Sequence, residues 1–187
     1  MIYVMLADGF EEIEALAFVD ILRRSDIDVE TVSIYAHKNV TGSHGIEVVA
    51  DKVIEETEEL VDGIVLPGGI PGTYNLQDCS RLTEMLTYHN ENKKYIAAIC
   101  AAPSILGEMG MLNGKKATCY PSFEDKLIGS VVSEEKVVVD GNIITSRGAG
   151  TAHEFAFRFI ELIKGKSVSE KLRSAMLYDQ IWISNIL

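Results

Sequence analysis

Apolar residues along this chain fall into two patterns, short unbroken runs and longer stretches spaced three to four apart. The runs Ile2–Leu6, Val29–Tyr35, Ile64–Leu66 after Asp62-Gly63, and Tyr95–Ile99 read as strands. Helical spacing runs from Glu11 to about Ser25, over Cys79–Asn92, and over Ala101–Met109, where Pro103 is tolerated in the first turn. It returns from Thr151 to about Lys164 and again from Ser167 onward. Thr151-x-x-Glu154 and Ser167-x-x-Glu170 have the form of capping boxes. Val40–Ser43 and Ile46–Ala50 around His44-Gly45 predict a hairpin, as do Lys136–Asp140 and Asn142–Thr145 around Asp140-Gly141. Lys116–Tyr120 and Val131–Ser133 read as further strands, and acidic Glu55–Leu60 as a short helix. Strands alternating with helices predict an α/β fold with a mostly parallel sheet covered on both faces. No linker or repeat interrupts it, so residues 1–187 are expected to form one domain, with an apolar C-terminal extension over 180–187. That extension is too apolar to be free in water and is expected to dock on the body or on a partner.

The first helix carries more apolar surface than one stripe requires. Leu16, Ala17, Phe18, Val19, Ile21 and Leu22 spread over more than one face. A helix covering one side of a sheet needs only a single stripe, and the surplus predicts a subunit contact.

Composition narrows the classes. The chain has 187 residues, 47% of them hydrophobic, so disorder is not expected. Its net charge of −11, with scattered lysines and arginines, argues against nucleic acid and anionic membranes as partners. Three cysteines, Cys79, Cys100 and Cys119, are too few for a disulfide framework and are not spaced for zinc. No leader or membrane span is evident, and a cytoplasmic location is expected.

One cysteine stands apart. Cys100 lies where the Tyr95–Ile99 strand meets the following helix, at the carboxyl end of a strand, where open α/β sheets bind ligands. Unpaired amides at the helix start favour a thiolate. A thiol packed as a small hydrophobe fits the same position. Glu14 projects among apolar neighbours, four residues before Phe18 and seven before Ile21. Two readings stay open for it: a wet or salt-bridged carboxylate at an interface rim, or a carboxyl kept protonated by burial. Cys79 reads as packing, His89 as a boundary residue, and His153 as a helix residue beside Phe157. Gly148-x-Gly150 lacks the third glycine and the lysine of a phosphate loop.

Gly9-Phe-Glu-Glu-Ile-Glu14, Val65-Leu-Pro-Gly-Gly69, Ala98-Ile-Cys-Ala-Ala-Pro103 and Thr145-Ser-Arg-Gly-Ala-Gly-Thr151, in this order, resemble the ThiJ/PfpI superfamily. The branch is that of the parkinsonism-associated protein deglycase. The resemblance covers the chain to about Asp179. It implies a flavodoxin-like three-layer sandwich related to class I glutamine amidotransferases, with a nucleophile elbow, usually as a homodimer. It implies Cys100 as the reactive cysteine, Glu14 as the acid that hydrogen-bonds its sulfur, and Gly69 and Ala101 as backbone donors to an oxyanion. Gly68, Tyr120 and His44 are further pocket candidates. Tyr120 stands where animal members place a histidine, in Thr118-Cys-Tyr-Pro121, and His44 stands where they have a hairpin arginine. Ala101 stands where the protease-named branch has a histidine.

A proton shared between Glu14 and Cys100 is expected to raise the acid and lower the thiol. The first expectation is a cysteine-dependent glyoxalase or deglycase acting on methylglyoxal, glyoxal or their adducts, without metal, glutathione or other cofactor. Its partners are a small aldehyde or glycated substrate and a second copy of the chain. The alternative is a redox-sensing stress protein or chaperone switched by Cys100 oxidation. A cysteine peptidase or amidase ranks last, because no base is placed for it.

Overall fold

The computed structural model describes residues 1–179; the apolar extension over 180–187, and with it the docking expectation, lies outside the described residues. Seven strands form one sheet in the order β10-β11-β7-β6-β1-β2-β5. These are β1 (Ile2–Leu6), β2 (Val29–Ser33), β5 (Lys52–Val53), β6 (Gly63–Leu66), β7 (Tyr95–Ile99), β10 (Val137–Asp140) and β11 (Ile143–Ser146). All neighbours are parallel except the β10–β11 hairpin. Two small ribbons stand apart, β3 (Asn39–Thr41) with β4 (Glu47–Val49), and β8 (Lys116–Ala117) with β9 (Val131–Val132).

Alternation along each buried strand builds a core on either face. Ile2, Val4 and Leu6 point to one side and Tyr3 and Met5 to the other. The first side is covered by α1 (Glu12–Arg24) and α5 (Ala152–Lys164), with α6 (Lys166–Ala175) packed on α5. Phe18 of α1 meets Phe155 and Phe159 of α5 at ring distances of 5.2 and 5.3 Å. The second side is covered by α2 (Gly72–Gln77), α3 (Ser80–Glu91) and α4 (Pro103–Glu108). The result is the expected three-layer α/β sandwich. The chain runs outward from β1 to β2 and later returns to β6 on the other side of β1. That reversal opens a crevice at the carboxyl ends of β1 and β6.

Several local expectations are corrected. The subunit contact expected of α1 is not among them: Phe18, Ile21 and Leu22 are buried within the chain, Phe18 against α5, while Leu16 and Ala17 stay partly exposed. Ile13 stays half exposed, as do Ile46 and Val49 of the hairpin segment. Glu55–Leu60 is not a helix: only Ile54 is buried, and the chain makes one 3-10 turn, Ile54–Glu56. The strand from Lys116 pairs only as far as Ala117; the Thr118 amide turns to Thr145 Oγ1 at 3.0 Å. Neither capping box forms. Glu154 binds Arg173 at 3.1 Å, the Ser167 side chain caps nothing, and the Thr151 hydroxyl turns back toward Ser146 and Gly148. His89 is fully buried rather than at a boundary, its Nε2 accepting the Val61 amide at 3.1 Å.

Candidate active site

Three strand ends deliver the site. After β7 the chain turns sharply through Cys100, whose φ of +65° lies in the left-handed region that a side chain with a Cβ rarely adopts. The turn is pinned on both sides. The Cys100 amide donates to the Ser146 carbonyl at 3.0 Å, and the Tyr120 amide donates to the Cys100 carbonyl at 2.8 Å. Such a strand–turn–helix joint lifts a side chain clear of the sheet, as in the nucleophile elbow of hydrolases.

Glu14 comes from the first turn of α1. Its own amide donates to Glu11 Oε2 at 2.7 Å, so Glu11 caps the helix and fixes where Glu14 points. The Glu14 side chain is buried, and its Oε2 accepts the Gly68 amide at 2.8 Å. Gly68 follows β6, and no other residue fits there. A Cβ on it would lie 2.6 Å from Cys100 Cβ and 2.8 Å from Glu14 Oε2. Glu14 Oε1 is buried with no hydrogen-bond partner among the described residues. The backbone amides of Gly69 and Ala101 favour negative charge on the Cys100 sulfur.

Burial pushes the Glu14 carboxyl up to about 7, against the pull of the Gly68 amide and the thiol. Burial and the neighbouring Glu14, when it is a carboxylate, push the Cys100 thiol up to about 12. The two belong to one coupled titration. The pair releases one proton near neutrality and keeps the second until strongly alkaline pH. Hydrogen bonding decides where the single negative charge rests. On sulfur it meets three donors: the Gly69 and Ala101 amides and the Glu14 hydroxyl. On the carboxylate it meets two, the Gly68 amide and the thiol. The count favours thiolate beside neutral Glu14.

The structure brings Cys100, Glu14 and Gly68 together, with Gly69 and Ala101 next to them in the chain. Tyr120 joins them as a half-exposed wall, its ring against Gly148. His44 does not join within this chain. Its Nδ1 binds Glu12 Oε2 at 2.8 Å and its amide binds Glu12 Oε1 at 2.7 Å. That pairing raises the imidazole and holds the Glu12 carboxyl down at about 2. His153 stacks on Tyr178, His89 is buried against α3 and Val61, and His37 stacks on Tyr35. Gly148 was not singled out from the sequence. A Cβ there would lie 3.2 Å from Tyr120 Cδ2 and 3.9 Å from Glu14 Oε1, so it lines the pocket. In the sequence it appears only in the Thr145–Thr151 motif and in Gly148-x-Gly150, which is discounted as a phosphate loop.

A parallel α/β sandwich with a cysteine on a left-handed elbow, a buried carboxyl on its sulfur and backbone donors around both defines a class of cysteine-centred elbow proteins. Within that class, the chain belongs to the DJ-1/PfpI family, which matches residues 1–162. It is 40% identical over 180 residues to protein DJ-1 homolog A of Arabidopsis thaliana, covering 94% of this chain and 46% of that protein. The chain thus spans about half the length of that relative. It is 32% identical over 168 residues to the glutathione-independent glyoxalase DJR-1.2 of Caenorhabditis elegans, covering 87% of each. The structure of oxidized Toxoplasma gondii DJ-1 superposes with a TM-score of 0.89 at 38% identity, covering 96% of this chain and 98% of that one.

Proposed function

We propose that this protein is a cysteine-dependent, glutathione-independent glyoxalase or deglycase acting on methylglyoxal, glyoxal or their adducts. The observation that carries this is the buried Glu14 carboxyl, raised toward neutrality and packed with Gly68 against Cys100 on its elbow. The similarity to a glutathione-independent glyoxalase supports the same chemistry.

Thiolate attack on the aldehyde carbon forms a C–S bond and an alkoxide. The Gly69 and Ala101 amides, which held the thiolate, lie beside that oxyanion. Glu14 then gives its proton to the alkoxide and becomes a carboxylate. It removes the C1 hydrogen as a proton, and an enediol forms as electrons move onto the neighbouring carbonyl. Glu14 returns that proton to C2 and relays the C1 hydroxyl proton to the C2 oxygen, which leaves a thioester of lactate on Cys100. Water cleaves the thioester, releasing lactate and restoring the thiol, so methylglyoxal plus water gives lactic acid with no net oxidation. Every proton passes through one group whose pKa sits near neutral pH, where general acid–base catalysis works best.

Redox sensing by Cys100 is the second reading, favoured by the similarity to an oxidized DJ-1. A protonated Glu14 would donate to a sulfinate oxygen as it does to the thiolate. Peptidase chemistry has the least support, since all four histidines are engaged away from Cys100. The exposed Ile13, Ile46 and Val49 are available for contact with a second copy of the chain.

Lactate release from methylglyoxal without glutathione tests the main reading. Wild type is expected to turn over, and Cys100→Ser to lose the reaction. An inert wild type, or an active Cys100→Ser, overturns it. Mild peroxide followed by mass spectrometry then tests the sensor, which requires Cys100 to gain two oxygens before Cys79 or Cys119 does.

A further inference from the structure

The Thr151 hydroxyl, which fails to cap α5, is instead the hub of the 146–151 loop. Thr151 Oγ1 lies 2.7 Å from Ser146 Oγ and 2.8 Å from the Gly148 carbonyl, and accepts the Gly148 amide at 3.1 Å. Ser146 Oγ in turn donates to the Lys136 carbonyl at 2.8 Å, tying the loop to the start of β10. Both ends of this unit reach the reacting pair. At one end the Ser146 carbonyl holds the Cys100 amide. At the other, Gly148 closes over Glu14 Oε1, with the Tyr120 ring beside it. Of the groups joined by Thr151 Oγ1, none reaches Cys100 or Glu14 through its own side chain.

We infer that Thr151 is a positioning residue: its hydroxyl locks the 146–151 loop so that the elbow stays fixed and Gly148 keeps water from Glu14. This matters for turnover only if Cys100 and Glu14 form the reacting pair proposed above. Without the hydroxyl, the Gly148 amide loses its partner and the Gly148 carbonyl is left with the Thr151 amide alone at 2.8 Å, so the loop opens. Water then reaches Glu14 Oε1, the carboxyl ionises first, and Cys100 is left as a thiol beside a carboxylate. Thiolate then forms only at higher pH.

The test is the pH profile of Cys100 alkylation by iodoacetamide, read on the Cys100 peptide by mass spectrometry, with lactate release measured in parallel. Thr151→Val keeps the shape and removes the hydroxyl; Thr151→Ser keeps the hydroxyl. Thr151→Val is expected to raise the alkylation midpoint by about one pH unit, slowing alkylation at pH 7 by about tenfold. Thr151→Ser is expected to keep the wild-type midpoint. A wild-type midpoint in Thr151→Val, or an equal shift in Thr151→Ser, overturns the inference. Should Thr151→Val fail to fold, Ser146→Ala removes the hub's partner and must raise the midpoint in the same way; an unchanged midpoint overturns the inference there too. A wild type that makes no lactate sinks the glyoxalase reading alone and leaves the alkylation result decisive.

Discussion

Replacing Glu14 with glutamine keeps the shape of the side chain and removes its proton. The glutamine oxygen can accept the Gly68 amide as Oε2 does at 2.8 Å, and its NH2 can face the Cys100 sulfur. In the wild type the Glu14–Cys100 pair gives up its first proton at about 7 when folded, against an ordinary 4.5 for the carboxyl. Between those values the folded state holds a proton that the unfolded chain has released. Stability therefore falls as pH rises through this window, and the loss is complete above it. At 1.36 kcal/mol per pH unit the loss comes to about 3 kcal/mol. Glutamine has nothing to ionise and escapes it. Glu14→Gln is thus expected to match wild type near pH 4.5 and to exceed it by about 3 kcal/mol at pH 8. Turnover of methylglyoxal is expected to fall by a factor of about 10² to 10⁴, the usual effect of removing a general acid–base group. Urea unfolding followed by far-UV circular dichroism from pH 4.5 to 8 measures the stability difference. A difference that stays flat across that range, or that favours wild type at pH 8, refutes the burial argument for Glu14.

Two further substitutions probe the surroundings. Gly68→Ala places a methyl 2.6 Å from Cys100 Cβ and 2.8 Å from Glu14 Oε2, so the pair must part. Steady-state lactate assays are expected to show a loss in kcat of about hundredfold, and a loss below threefold contradicts the geometry. Burial holds the His89 imidazole below its ordinary range, and its Nε2 must stay unprotonated to accept the Val61 amide. The folded state thus binds fewer protons than the unfolded chain, and the His89 contribution is lost as pH falls through about 6.5. His89→Gln is expected to lower stability by about 1 to 2 kcal/mol at pH 7 and to remove that dependence, checked by urea unfolding at pH 5 to 7. A variant with the wild-type slope refutes it.

What the sequence reveals depends on how local the cause is. β1, β6 and β7 are legible because a strand buried on both faces needs an unbroken apolar run. β5, two residues at the sheet edge, carries no such run, and α2 is a six-residue helix whose buried side chains amount to Thr73 and Leu76. The capping boxes mislead because Thr151 and Glu154 meet stronger partners, Gly148 and Arg173, that folding brings to them. Cys100 is legible as the joint between a strand and a helix. Glu14 is visible as an acid among apolar neighbours, but its role follows only from the resemblance, since Gly68 is 54 residues away. The same distance effect hides the Glu12–His44 pair, which removes His44 from the pocket.

The left-handed backbone at Cys100 sets fold and chemistry against each other at one position. Glycine or asparagine relaxes a conformation that is unfavourable for cysteine by about 1 to 2 kcal/mol. Mutational drift under selection for folding alone would therefore carry position 100 away from cysteine, toward residues that cannot attack an aldehyde or take up oxygen. The thiol persists there only as long as its reactivity is itself under selection, so a lineage released from that demand would become more stable as it lost its nucleophile.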